Sequence, residues 1–120
     1  MQSEAAVTTQ TIPEDRWIEF FERFSQEHSG WPVTLEVLDP TGGPEKLSSD
    51  LPLQGISFDT KGTRPSTIAI SAGTPSGHVT HVIDLPLKIQ QAEEANGDID
   101  FKIEPARGPV TLVHMRSPAH

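Results

Sequence analysis

The fold of this chain is decided by the stretch WIEFFERF at residues 17–24. The whole chain has five phenylalanines, two tryptophans and no tyrosine, and four of these aromatic residues lie in this stretch. Trp17, Phe20, Phe21 and Phe24 recur at offsets of three, four and seven residues, which places them on one face of an α-helix. A stripe of this size must pack against a large apolar surface, so we expect the helix to form part of the core.

The residues around this stretch set the ends of the helix. Thr11 stands three residues before Glu14, which is the spacing of a capping box, and Pro13 is favoured in a first helical turn. Gly30 is suited to ending the helix in a left-handed conformation. The sequence therefore predicts a helix from Pro13 to His28.

After Gly30 the hydrophobic period changes from about 3.6 to about 2, which indicates strands. Alternating apolar residues between turn signals predict six strands, at residues 33–37, 56–58, 68–72, 78–84, 99–103 and 110–115. Residues 39–44 predict a turn, and the polar residues 45–50 that follow predict an exposed loop. Residues 89–95 are compatible with a short helical turn.

This order of elements predicts an α+β fold. We expect an N-terminal helix packed on a curved antiparallel sheet of about six strands, with a partly open barrel as the alternative. The lack of strand–helix–strand alternation disfavours a doubly wound parallel sheet. The predicted organisation is a disordered tail at residues 1–10, a single domain at residues 11–116 and a frayed C-terminus at residues 117–120.

The composition excludes several classes of partner. Nine Lys and Arg against seventeen Asp and Glu give a formal net charge of −8, which repels nucleic acid and anionic membrane surfaces. No apolar run approaches the ~18 residues of a membrane span, and residues 1–10 lack the basic and apolar regions of a secretory signal. The absence of cysteine fits a reducing compartment. We therefore expect an acidic, soluble, cytoplasmic protein.

Two histidines in the run His78-Val79-Thr80-His81 raise the question of a metal site. Side chains three residues apart on a strand point to opposite faces, with backbones ~10 Å apart, so the two imidazoles cannot chelate one ion together. His81 lies between the apolar Val79 and Ile83, and we expect it to be partly buried and hydrogen-bonded. We expect His78 to be solvated.

His114 lies on another predicted strand and is a further candidate ligand. Across the sheet it could meet His81 or His78, and a carboxylate would then complete a metal or catalytic site. This is the basis for one alternative function, a small histidine- or metal-dependent enzyme centred on His81 and His114.

Other catalytic patterns are weak or missing. There is no G-x-S-x-G nucleophile elbow, and Ser76-Gly77 belongs to a turn. The glycine-rich segments lack the lysine of a phosphate-binding loop. The carboxylates at residues 93–94 and 98–100 flank a turn, and we expect them to be solvated. We predict no catalytic residue, no cofactor and no bound metal.

Trp31, just past the helix, is a large aromatic residue whose burial the pattern does not assign. It is a candidate anchor for a protein interface, because tryptophan is enriched among residues that dominate binding energy. The alternative is that it packs over the corner between the helix and the first strand after it. An exposed edge strand offers a second route to a partner, by strand addition or homodimerisation.

The order of several motifs resembles a family of small uncharacterised bacterial proteins that carries a domain-of-unknown-function label. The resemblance spans about residues 15–115 and implies a bacterial, soluble, single-domain protein without an assigned activity. It transfers no catalytic residue. The motifs are Trp17…Phe20-Phe21…Phe24-Ser25…His28…Gly30, Leu53-Gln54-Gly55-Ile56-Ser57, His78-Val79-Thr80-His81…Pro86, and Phe101-Lys102-Ile103-Glu104 before Gly108 and Val110-Thr111-Leu112.

Taken together, the sequence favours a non-enzymatic protein-binding or accessory module. Its partner is either another protein or a second copy of the chain. Two alternatives stay open: the histidine- or metal-dependent enzyme, and a protein that binds a small ligand between helix and sheet.

Overall fold

A computed structural model describes residues 8–39, 41, 43–60 and 66–118. The elements in these ranges are β1 (Thr8–Thr11), a 3₁₀ turn (Glu14–Arg16), α1 (Trp17–Glu27), β2 (Pro32–Asp39), β3 (Gly43–Asp59), β4 (Thr67–Thr74), β5 (Gly77–Asp84), β6 (Pro86–Glu93), β7 (Ile99–Pro105) and β8 (Val110–Met115). The strands form one antiparallel sheet in the order β1-β6-β7-β8-β2-β3-β4-β5. The α+β class and the helix packed on an antiparallel sheet are confirmed, while the number of strands is eight rather than about six.

The helix lies close to its predicted span but begins differently. The 3₁₀ turn precedes α1, and its N-cap residue, Pro13, makes no side-chain capping hydrogen bond. The predicted capping box is wrong, because Thr11 is instead paired with Gln90 between β1 and β6. Gly30 has a φ of +89°, the left-handed conformation predicted for the residue that ends this helix.

The aromatic stripe of α1 packs on the apolar face of the sheet. Trp17, Phe21 and Phe24 are buried. Trp17 meets Phe58 of β3 edge to face, with 5.0 Å between the ring centroids. Phe24 meets Phe101 of β7 in the same way, also at 5.0 Å. The stripe therefore joins strands from two distant parts of the sheet in one core.

β3 is the longest strand and carries a bend in the sheet. Its first part pairs with β2, and its second part, from Leu53, pairs with β4. Asp50 at a φ of +53° and a register shift between Leu53 and Gly55 mark the change. The predicted loop at residues 45–50 is wrong, since these residues belong to β3. Their side chains are mostly exposed on both faces, so they show no apolar alternation.

β1 and β6 are the two strands that the sequence pattern does not predict. All four residues of β1 are exposed, and they pair with β6, so the expected tail is corrected at residues 8–10. The rest of that tail, residues 1–7, lies outside the described ranges. In β6 the buried residues are Pro86 and Ile89, three apart, because a register shift lies between Pro86 and Lys88. Buried residues three apart are also typical of a helix, which explains why part of this strand is compatible with a helical turn in the sequence.

The sheet is open and strongly curved. In the described residues, its outermost strands β1 and β5 each pair with a single neighbour. The His81 imidazole on β5 nevertheless lies 3.0 Å from the Thr111 hydroxyl on β8, four places away in the strand order. Leu85, with a φ of +51°, joins β5 to β6. Its N–H donates to the carbonyl of Ser66, and its carbonyl accepts the N–H of Ala106, both at 2.8 Å.

The end of the described chain is held against the sheet. The N–H of Ser117 donates to the carboxylate of Asp98, on the turn between β6 and β7, at 2.9 Å. Residues 117–118 have no regular secondary structure, and residues 119–120 of the expected frayed end lie outside the described ranges. No helix within the described ranges is both long enough and apolar enough to cross a membrane.

Candidate functional site

A groove of about 530 Å³ crosses the face of the sheet opposite α1. Strand alternation explains its composition, because Phe101 and Val113 are buried towards the core while Asp100, Leu112 and His114 point the other way. The groove is of a size that holds small ligands in other proteins. Its lining includes Thr34, Glu36, Gln90, Asp100, Lys102 and His114.

A cluster of ionisable groups lies at one end of this groove. Asp100 on β7 stands directly opposite His114 on β8 in the strand register. The Nδ1 atom of His114 lies 2.5 Å from an oxygen of Asp100, and its Nε2 atom lies 3.6 Å from an oxygen of Asp98. Glu94 reaches Asp100 from the turn between β6 and β7. We call Glu94, Asp98, Asp100 and His114 the His114 cluster.

Backbone hydrogen bonds fix the turn that supplies two members of the His114 cluster. The N–H of Glu94 donates to the carbonyl of Asp98 at 2.8 Å, and the N–H of Gly97 donates to the carbonyl of Glu94 at 2.9 Å. The side chain of Asn96 accepts the N–H of Asp98 at 2.9 Å. The Asn96-Gly97 pair supplies the turn chemistry, with Gly97 at a φ of +96°. The carboxylates therefore sit on a defined scaffold.

Opposing effects act on the pKa of His114. Partial burial lowers it, but the hydrogen bond to Asp100 and the negative charges of Asp100, Asp98 and Glu94 outweigh burial, so the pKa is raised. The pKa of Glu94 is also raised, first by its hydrogen bond with Asp100 and further by desolvation and the neighbouring negative charges. Glu94 and His114 therefore retain their protons to higher pH than isolated groups of the same kinds.

Three members of the cluster have donor atoms suited to a metal ion. One ligand atom each from Glu94, Asp100 and His114 lies within 4.8 Å of the others. Imidazole nitrogen and carboxylate oxygen are ligands for zinc and similar divalent metals. In the structure these donors face one another, and both His114 and Glu94 are hydrogen-bonded to Asp100. The arrangement is that of a charge-assisted pair with additional carboxylates around it.

The structure does not bring His114 together with the other candidate histidines. His81 lies on the inner face of β5, half-buried, and bonds the buried Thr111, whose side chain points away from His114 on β8. Burial lowers the pKa of His81. His78 is exposed on the other face of β5. A site that combines His81 with His114 is therefore not formed, and His114 meets Asp98 and Asp100 instead.

Comparison with known proteins supports an assignment to a family. A model of a family of unknown function, DUF5335, matches residues 8–120. The chain belongs to the DUF5335 family. This confirms the resemblance to a family without an assigned activity. Comparisons with curated proteins and with solved structures gave no match.

Trp31 in this DUF5335 chain lies at the corner between α1 and β2. Its side chain is half-buried against the core, and its ring meets that of His28 at 4.6 Å between centroids. The backbone is tied on both sides: Trp31 N–H donates to the carbonyl of His28 at 3.1 Å, and the Trp31 carbonyl accepts the N–H of Leu53 at 2.8 Å. The packing corresponds to the corner alternative, and an interface role for Trp31 stays a prediction.

The outer edge of β5 is the second surface feature of this DUF5335 fold. β5 pairs with β4 on one side, and no strand in the described ranges pairs with its other side. Val82 on β5 is 52% exposed, and Leu85, the residue that follows the strand, is 43% exposed. A long edge strand with an exposed apolar side chain can act as a template for another strand. We call this feature the β5 edge.

Proposed function

We propose that this DUF5335 chain is a non-enzymatic protein-binding module, and that the β5 edge takes up an extended segment of a protein partner as an additional antiparallel strand. The observation that carries the proposal is that no strand in the described ranges pairs with the outer side of Gly77–Asp84. Strand addition satisfies the main-chain groups of such an edge, and pockets or alternate side chains then provide selectivity.

The β4–β5 hairpin determines which backbone groups face the open side. Thr74 and Gly77 are its closing pair around the two-residue turn. Antiparallel pairs alternate between those that exchange hydrogen bonds and those that do not. The closing pair of a two-residue hairpin is hydrogen-bonded, and every second pair after it is hydrogen-bonded as well. Because the closing pair contains Gly77, the odd-numbered residues of β5 bond to β4. The N–H and C=O groups directed to the open side belong to His78, Thr80, Val82 and Asp84.

The two outer strands of the sheet differ in a way that favours β5. Native proteins protect edge strands by making them short, by placing lysine or proline in them, or by covering them. β1 has four residues, all of them threonine or glutamine. β5 has eight residues, contains neither lysine nor proline, carries the exposed Val82 and is followed by the exposed Leu85. β5 is thus the longer outer strand and the one with an exposed apolar side chain.

Charge and chemistry support a binding role over the alternatives. The net charge of −8 opposes contact with nucleic acid or with an anionic membrane, so the proposed partner is a protein. The separation of His81 from His114 argues against an enzyme centred on these two histidines. The absence of cysteine fits a cytoplasmic location, which is part of the proposal.

Site-specific photo-crosslinking in cells tests this function. A photoreactive residue at position 82 should give a crosslinked protein adduct, whereas the same residue at Ile18, an equally exposed apolar position at 59% on α1, should not. Thr80→Pro should abolish the adduct, because it removes a donor directed to the open side and leaves the bonds to β4 in place. Circular dichroism checks that this variant is folded. Equal adducts at positions 82 and 18, or an adduct that persists in folded Thr80→Pro, would overturn the proposal.

A further inference from the structure

We propose that the strand taken up by the β5 edge is β5 of a second copy of this chain, antiparallel to the first. In the proposed register residue 81 lies opposite residue 81 of the second copy, so the numbers of any two paired residues add up to 162. The inference rests on the proposed function and names the partner for the same edge. It makes the sheet continuous through a two-fold axis at His81.

The direction of the backbone groups restricts the register. Only the even-numbered residues of β5 point their N–H and C=O groups to the open side, so hydrogen-bonded pairs must join an even residue to an even residue. The sum of the paired numbers is therefore even. Sums of 160 and 162 each pair seven residues of the eight-residue strand, but 162 gives four hydrogen-bonded pairs of even-numbered residues whereas 160 gives three. Four hydrogen-bonded pairs give about eight main-chain hydrogen bonds between the copies.

The exposed side chains complement one another in this register. His78 stands opposite Asp84 of the second copy, which places an imidazole against a carboxylate, and the two-fold axis repeats the pair. Thr80 stands opposite Val82 of the second copy, a β-branched pair that covers the exposed Val82. Registers with sums of 160 or 164 lose the pairing of His78 with Asp84.

The inner side of the junction is also compatible with two copies. Val79 stands opposite Ile83 of the second copy, and both are apolar. His81 stands opposite itself at the axis. Burial lowers the pKa of His81, which favours the neutral imidazole and limits repulsion at this point. The exposed Leu85 follows the strand and comes beside the hairpin end at Gly77 of the second copy.

The absence of native cysteine allows the register to be read by disulfide trapping in the full chain. Thr80→Cys and Val82→Cys are made separately, one with a mass tag, and mixed under oxidising conditions. Opposite residues lie within the ~4.4–6.8 Å between Cα atoms that a disulfide requires. We expect the mixed disulfide to form at least tenfold faster than either symmetric disulfide. Ile18→Cys is the matched control for random collision and should form disulfides slowly.

A charge exchange tests the side-chain pairing independently. His78→Asp alone should weaken the dimer about fivefold or more in sedimentation equilibrium, because two carboxylates then face each other twice. His78→Asp combined with Asp84→His should restore wild-type dimerisation. Gln26→Asp, at an exposed position outside the sheet, controls for the added negative charge.

Each result decides the inference. Preferential mixed disulfide and rescue by the exchanged pair support it. If a symmetric disulfide at position 80 or 82 forms faster than the mixed disulfide, the paired numbers add up to 160 or 164 instead, and the proposed register is overturned. A strict monomer without trapping overturns self-association. In that case a Thr80→Pro-sensitive adduct at position 82 in cells leaves the proposed function intact with a different partner, whereas its absence removes both.

Discussion

The hydroxyl of Ser25 in α1 completes the backbone hydrogen bonds of Ile56 in β3. It accepts the N–H of Ile56 at 2.8 Å and donates to the carbonyl of Ile56 at 3.0 Å. β2 pairs with β3 only as far as Pro52, so this side of β3 would otherwise lack partners. Next to it, the carbonyl and N–H of Leu53 bond to the backbone at Gly30 and Trp31. The helix and the turn after it thus supply hydrogen-bond partners to β3 beyond the point where its pairing with β2 ends.

Ser25→Ala should reduce the free energy of unfolding by about 1–3 kcal/mol, because it leaves two part-buried backbone groups of Ile56 without partners. Urea unfolding followed by fluorescence measures the change. Ser29→Ala, at an exposed position after the helix, is the matched control and should change the value by less than ~0.5 kcal/mol. Equal effects of the two substitutions would contradict a role for the Ser25 hydroxyl.

Gly73 at the end of β4 should not tolerate a side chain. Its φ is +126°, and a Cβ atom placed there would lie 2.4 Å from the carbonyl oxygen of Gly77 and 2.5 Å from the Cα atom of His78. Gly73→Ala should therefore destabilise the protein by about 3 kcal/mol or more. Gly77→Ala is the control across the same hairpin, since a Cβ atom there meets nothing within 4 Å. A similar thermal midpoint for the two variants would show that the hairpin rearranges at little cost.

The raised pKa of His114 predicts how stability depends on pH. Burial lowers this pKa, but the bond to Asp100 and the surrounding carboxylates raise it to above its ordinary value. The stabilisation from the proton is complete below the unfolded pKa of about 6.5 and is lost as the pH rises through the folded value. Wild type should therefore exceed His114→Gln in stability by more at pH 6 than at pH 9.

Two further variants make this pH test specific. Asp100→Asn should lower the pKa of His114, read directly by NMR titration of the imidazole, because it removes the main raising contact. Asp15→Asn, an exposed carboxylate on the 3₁₀ turn, should leave that titration unchanged. If His114 titrates no higher in wild type than in Asp100→Asn, the charge-assisted pair is absent in solution.

The bond between His81 and Thr111 should matter more than the exposure of His81 suggests. Thr111 is 1% exposed and is the buried polar residue of the described core, so Thr111→Val should cost about 1 kcal/mol. Thr9→Val, on the exposed β1, should be neutral. Because burial lowers the pKa of His81, the stability of wild type relative to His81→Gln should fall as the pH falls through 6.5 and below. In a double-mutant cycle that combines Thr111→Val with His81→Gln, a coupling energy near zero would argue against the bond.

The apolar part of the fold is readable from local periodicity. The stripe on α1 and the alternation of Ile99, Phe101 and Ile103 on β7 correspond to buried residues in the structure, because burial is what generates both patterns. The same reasoning fails where burial is absent. β1 is exposed throughout, so its residues carry no periodic signal.

The candidate sites depend on pairing that local sequence does not contain. Asp100 meets His114 only because β7 and β8 pair in one particular register. Glu94 and Asp98 reach them from a turn whose Asn96-Gly97 signal marks the bend but not the side chains it brings inward. Similarly, the open side of β5 follows from the strand order and not from the run of residues 77–84. The Asn96-Gly97 turn, considered together with the pairing of β7 and β8, is the sequence signal that could have located the His114 cluster.

The strand order also has a kinetic consequence. β2 to β5 and β6 to β8 are two series of consecutive hairpins, whereas the pairing of Pro32–Asp39 with Val110–Met115 joins opposite ends of the chain. Bringing β2 and β8 together closes a long loop, and the loss of chain entropy precedes the formation of the contacts that stabilise the pair. Such non-local pairing slows folding. We expect pulsed hydrogen exchange to protect amides within the two hairpin series before those shared by β2 and β8. Simultaneous protection would instead mean that the aromatic helix collapses onto both series in a single step.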